Sequence, residues 1–114
     1  MKIFNQTQNT YLAQDAVLAD GIFSRMIGLL KRDSFAPGAA LVITRCQQIH
    51  MFFMAFAIDV VFVDRANRVV GLVHNIKPFN MSPIFLKADR AIELPSGTIA
   101  GTQTSLDDHI LFLT

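Results

Sequence analysis

The sequence predicts an α+β domain that is mainly antiparallel β: a small curled sheet or partly closed barrel with one helix packed across it. Two observations lead there. Short runs rich in Val, Ile and Phe recur with Gly, Pro, Asn and Asp clusters between them, the pattern of strands joined by turns. One segment repeats apolar residues at three- and four-residue spacing, the pattern of an amphipathic helix. The chain has 114 residues, so residues 1–114 are read as a single domain with a single core.

Taken in order, Lys2 to Thr7 is a short strand and Gln8-Asn9 a turn before a second extended run, Tyr11 to Leu18. Asp20 is placed to cap a helix, because its short side-chain oxygen reaches the free N–H groups of a first turn. Ile22, Phe23, Met26, Ile27 and Leu30 then form one apolar stripe, with Gly28 either ending the helix or permitting close packing. Phe35-Ala36-Pro37-Gly38 is a turn. Ala40 to Arg45 and Gln47 to Met54 are read as strands, and Ile58 to Val63 as another. Asp64 to Asn67 supplies the turn that returns Arg68 to His74 as its hairpin partner. Lys77 to Lys87, holding Pro78 and Pro83, is an irregular loop of the length that is often functional. Arg90 to Leu94 is a strand, Pro95-Ser96-Gly97 a turn, Gly101 to Asp108 a polar loop, and His109 to Leu113 the closing strand.

Composition excludes several functions. The chain is 52% hydrophobic, and ten of its aromatic residues are Phe, which adds buried area without a polar atom to satisfy. A net charge of +1 with 17% charged residues provides no field for phosphate backbones, so no nucleic-acid partner is expected. The single cysteine rules out an internal disulfide or a paired-cysteine zinc site. Histidines 50, 74 and 109 follow no compact ligand spacing, and no phosphate-cradling glycine pattern is present, so neither metal nor cofactor is expected. No window reaches the roughly 18 apolar residues of a membrane helix, and the first residues lack the apolar core of a secretory signal. The default expectation is therefore a cytoplasmic protein with no membrane partner.

The most informative residue is Asp59. It is the one acid in Met51 to Val63, and a carboxylate in such a run must be held by hydrogen bonds or a cation, or stay neutral. Arg25, on the predicted helix, is the expected cation, since a guanidinium can grip a carboxylate through two parallel bonds. Cys46 and His50 lie four residues apart, a spacing that permits a thiol–imidazole pair, but no elbow or oxyanion hole accompanies it. Met54 and its neighbours are read first as core and second as a soft binding wall. Glu93, at a strand end, is read as a solvated rim residue, or alternatively as a second carboxylate facing Arg90 or Arg25.

Arg25-x-x-Gly28-Leu29-Leu30-Lys31-Arg32 is similar to the R-x-x-G-L-M-x-R signature of the bacterial and archaeal family catalogued as domain of unknown function 192. The resemblance continues through Ile49 to Met54, Ile58 to Asp64, Arg68-Val69-Val70, Pro78 and Ala91 to Gly97, in the family's order. Leu30 stands where the family has Met, and Ala57 where it often has Pro. The resemblance implies a compact β-rich domain of about this length and brings no reaction with it.

Three functional readings follow. The first is a non-enzymatic module that binds a small ligand or a protein partner in a cleft near Arg25, His50, Met54, Asp59 and Glu93. The second is a hydrolase with His50 as base and Asp59 orienting it, which requires the two side chains within about 3.2 Å. The third is a structural or assembly subunit docking through an exposed patch of Phe and Met.

Overall fold

The computed structural model describes residues 1–19, 35–52 and 54–114. Among these residues eight strands follow one another: β1 (Lys2–Asn5), β2 (Thr10–Ala13), β3 (Asp15–Leu18), β4 (Ala39–Thr44), β5 (Ile58–Val63), β6 (Val69–Ile76), β7 (Arg90–Pro95) and β8 (Ile110–Leu113). A one-turn helix, α1 (Thr98–Gly101), follows β7. The strands make two sheets, a five-stranded one in the order β3-β4-β7-β5-β6 and a three-stranded one in the order β2-β1-β8. All pairs are antiparallel except β3 with β4. The predicted class is correct, and of its two alternative forms neither sheet closes into a barrel.

The predicted Tyr11 to Leu18 run is two strands, because the chain changes sheets at Gln14. The N–H groups of Gln14 and Asp15 both donate to the Gly38 carbonyl, which hands the chain from β1's partner to β4's. A parallel neighbour needs a crossover of a dozen or more residues. The chain between β3 and β4 contains the span read as a helix; that helix, its Gly28 and Arg25 lie outside the described residues.

β5 is buried along its whole length, and it lies between β7 and β6. Side chains alternate across a strand, so β5 divides between two cores. Val61 and Val63 join Ile3, Leu12, Ile92, Leu94 and Ile110 between the two sheets. Ile58, Val60 and Phe62 join Leu41, Met51, Met54, Ile76 and Ala91 on the opposite face. Among the described residues that second face is covered by irregular chain. Phe85 lies over it, with its ring 4.6 Å from Phe62 and directly above Gly71, where a Cβ would come within 2.5 Å of the ring.

Gln47 to Met54 is not the strand the sequence predicts. It runs beside 79–85 through four backbone bonds, Met51 N–H to Asn80 (2.8 Å), Phe79 N–H to Met51 (2.7 Å), Ser82 N–H to Ile49 (2.8 Å) and Phe85 N–H to Gln47 (2.9 Å). Its partner follows Pro78 and contains Pro83, which have no N–H to donate, so no regular ladder can propagate. Ser82 compensates through its hydroxyl, which accepts the Ile49 N–H at 2.9 Å. The result is an irregular double loop fastened across the second face.

Candidate functional site

Asp59 is 1% exposed, as expected for an acid in an apolar strand. Its partners are backbone groups. One oxygen accepts the Asn75 N–H at 2.8 Å; the other accepts those of Gly97 at 3.1 Å and Ile99 at 2.9 Å. Each donor is freed by a local irregularity. Opposite Asp59, β6 carries an extra residue, since Ile58 pairs with Ile76 but Val60 with Val73. Such a bulge leaves one residue out of the ladder, and Asn75, at φ 50°, turns its N–H to the carboxylate. Gly97, at φ 93°, opens α1, whose first N–H groups have no partner within the helix. Asp59 therefore ties β5 to β6 and to the start of α1. The expected Arg25 partner lies outside the described residues, and neither ion pair among those described, Arg65–Asp89 and Arg90–Asp89, includes Asp59.

Glu93 overturns its reading as a solvated rim residue. It is buried, because β7 is the central strand of its sheet, with β4 and β5 on either side. It pairs with Leu41 and Val60, so its side chain belongs to the second face, while Asp59, paired with Leu94, belongs to the first. The sheet itself separates the two acids, which excludes the paired-carboxylate arrangement. Burial pushes the Glu93 carboxyl up from 4.5 to about 7. Among the described residues no hydrogen bond reaches it.

Glu93 lies at a cleft of about 140 Å³ whose described lining is Ala19, Ile43, Cys46, Gln48, Ile49, His50 and Glu93. The first segment of the double loop supplies four of these, and β4 and β7 supply Ile43 and Glu93. Cys46 is half-buried and its Sγ donates to the Gln48 carbonyl at 3.3 Å. Burial raises its thiol pKa, the Gln48 bond lowers it, and the nearby Glu93 raises it again, for a net rise. That is the opposite of an activated nucleophile.

His50 is exposed, its ring stacked on Phe52 with centroids 5.1 Å apart. It shares the cleft with Glu93 and makes no hydrogen bond to Asp59, whose oxygens are taken up on the other face. The His50–Asp59 pair required by the hydrolase reading is not formed. Met54 is buried in the second core behind the double loop. The structure thus brings His50 and Glu93 together, places Met54 in support, and sets Asp59 apart. Among the described residues no group of three His, Cys, Asp or Glu side chains could hold a metal ion, and no helix is long and apolar enough to cross a membrane.

Two features carried no sequence signal strong enough to be found. Gln48 joins the cleft only because the double loop folds over β7, beside Cys46 and His50, whose spacing already singles them out. A second buried polar knot joins Asn5, Thr104 and Asp108: Asp108 accepts from Asn5 Nδ2 at 2.9 Å and from the Ser105 N–H at 2.9 Å. It fastens β1 to the loop before β8 and lines no cleft. A larger groove of about 710 Å³ runs past Arg45, Asp64, Arg65, Lys87 and Asp89, with charges of both signs.

Comparison with known proteins adds family and fold. The model of the family described as "Uncharacterized ACR", domain of unknown function 192, matches residues 3–112. A UPF0127 protein of Pyrococcus horikoshii is 32% identical over 98% of this chain and 99% of its own. Another UPF0127 protein, from Thermococcus sibiricus, is 30% identical over 95% of this chain and 72% of its own. The crystal structure of a protein of unknown function from Novosphingobium aromaticivorans superposes with a TM-score of 0.80 at 16% identity, covering 97% of this chain and 82% of that one. At that identity the likeness is one of fold.

Proposed function

Since the chain belongs to the family of domain of unknown function 192, whose description carries no reaction, we propose from its geometry that it is a non-enzymatic module binding a small ligand at the Glu93 cleft. One observation carries the reading: a buried carboxyl with its pKa near neutrality faces a cleft whose described lining combines apolar Ala19, Ile43 and Ile49 with Cys46, Gln48 and His50. An acid in that state is costly to the fold, and groups of that kind concentrate at functional sites. At neutral pH it is able to donate or accept a hydrogen bond. Ile43, Ile49 and Ala19 would hold the ligand's apolar part; Glu93, Gln48 and His50 would fix its polar end. The volume is close to that of an engineered cavity of about 150 Å³ that holds benzene. Met54 supports the wall from behind, Asp59 lies on the opposite face of the sheet, and Arg25 remains a proposed member of the site.

The test is a panel of small amphiphilic fragments, phenol and benzamide among them, followed by amide chemical shifts and by alkylation of Cys46. A ligand of this cleft moves the amides of Ile43, Cys46, Ile49 and Glu93 together and slows alkylation, and Glu93→Ala or Arg25→Ala weakens it. Unmoved amides and unchanged alkylation across the whole panel contradict the reading.

A second reading, docking through an apolar surface, has its own observation. Phe52, Phe79 and Met81 are exposed at the tip of the double loop. Loss of self-association or of surface binding in Phe79→Ser/Leu86→Ser tests it.

A further inference from the structure

Nine large apolar side chains are exposed among the described residues, and five of them, Phe52, Phe79, Met81, Ile84 and Leu86, sit on the double loop. Scattered apolar residues on a surface need no explanation, but a concentration of this size marks an interaction face. Phe79 is 75% and Leu86 80% exposed, so these side chains project past their neighbours. They are not loose ends of a collapsed segment. Backbone bonds to Gln47, Ile49 and Met51 hold the strip from Phe79 to Phe85, Gln47 Nε2 donates to the Leu86 carbonyl at 2.8 Å, and Phe85 is seated over Gly71. The fold therefore fixes the apolar tips outward.

The strip itself carries only positive charge, and among the described residues carboxylates (Asp64 and Asp89) come near it only at its Leu86–Lys87 end, in the larger groove. Residues 46–58 and 75–88 contain no carboxylate, while Lys77 and Lys87, both exposed, bracket the strip at its two ends. Phe79, Met81 and Ile84 line neither cleft, while Leu86 and Lys87 border the larger groove at its edge. A protein segment gripping these residues would need a groove shaped to it. A bilayer interface needs none: it accepts projecting apolar side chains at the headgroup boundary and attracts lysines when its lipids are anionic.

We infer that the double loop is a peripheral membrane-docking surface, with Phe79, Met81, Ile84 and Leu86 entering the interface of an anionic bilayer and Lys77 and Lys87 meeting lipid phosphates. This rests on the second reading above and names its partner; it is independent of the Glu93 cleft.

The test is co-sedimentation of the full chain with phosphatidylcholine vesicles and with vesicles of phosphatidylcholine mixed with phosphatidylglycerol. The inference requires binding to the anionic vesicles, weakened by salt and absent or far weaker on the neutral ones. Phe79→Ser/Leu86→Ser abolishes it, and each of Lys77→Ala and Lys87→Ala lowers the partition about fivefold. All four positions are exposed, and unchanged thermal unfolding of the variants confirms that folding is intact. No sedimentation with anionic vesicles overturns the inference, as does binding that survives Phe79→Ser/Leu86→Ser. A dimer in solution that this double variant dissolves, without vesicle binding, overturns the lipid assignment but leaves apolar docking standing. Neither vesicle binding nor self-association removes both.

Discussion

On one face of the five-stranded sheet, Asp59 sits among Val61, Val63, Ile92 and Leu94 with three backbone N–H groups on its oxygens. On the other, Glu93 sits beside Leu41, Val60 and Ala91 without a hydrogen bond from any described residue, and its carboxyl is pushed up to about 7. Both acids occupy interior strands, one residue apart in register. What differs is the cover. The first face is closed by a second sheet and by α1, which bring backbone donors to fixed positions. Among the described residues the second is closed by a double loop that leaves a cleft. A carboxylate surrounded by oriented N–H groups becomes a structural tie, whereas one left facing a cleft remains available for chemistry.

The largest way to break this contrast is Asp59→Ala. It strands the N–H groups of Asn75, Gly97 and Ile99 together and should cost about 4 kcal/mol in chemical denaturation, given roughly 1–3 kcal/mol for a buried donor left unmet. Asp59→Asn keeps an acceptor and should lose about half as much. A loss under about 1 kcal/mol for Asp59→Ala would show that the acid is not the tie described.

Next in size is the pH dependence of Glu93. In the folded chain its carboxyl titrates near 7 and in the unfolded chain near 4.5, so between those values the folded state holds the extra proton. Its contribution to stability is complete below pH 4.5 and is lost as pH rises through 7, a loss of about 3 kcal/mol at full ionisation. Glu93→Gln should therefore match the parent protein at pH 4 and exceed it by about 3 kcal/mol at pH 8. Parallel stability curves for the two proteins would contradict the assignment. The same experiment at Asp59 sharpens the comparison, because Asp59→Asn should destabilise at neutral pH where Glu93→Gln stabilises.

The smallest effect concerns the cover itself. Gly71→Ala places a methyl group within 2.5–2.8 Å of the Phe85 ring, and overpacking of this kind costs about 2 kcal/mol. It should lift the double loop from the second face and speed alkylation of Cys46, while leaving amide exchange in β1, β2 and β8 unchanged. Loss of protection in both sheets alike would mean that the two faces are not separable.

Much of this was legible in the residues, for reasons that also explain the failures. Ile58 to Val63 is a strand because its apolar run is bounded by turn chemistry, and Asp64 does form the turn, with its Oδ1 accepting the N–H groups of Ala66 and Arg68 at 2.9 Å. The burial of Asp59 followed from the same run. Its partners did not, because a bulge at Asn75 and the first turn of α1 offer main-chain groups, which have no side-chain signature. Glu93 was misread because a glutamate before Leu-Pro resembles a strand end, and only the tertiary order shows neighbours on both sides. The small Ala91 two residues earlier on the same face was the available hint. Gln47 to Met54 looked like a strand from its own composition; the prolines that prevent a ladder lie thirty residues away, in and just before its partner.

One face of the sheet holds its acid with backbone donors, while among the described residues the other leaves a carboxyl at the cleft. The most direct measurement is the side-chain carboxyl carbon of Glu93, followed by NMR as pH is varied in the intact protein. A midpoint at about 7 is the result required; a midpoint near 4.5 would mean that the carboxyl is already solvated or fully paired, and the contrast between the two faces would not exist.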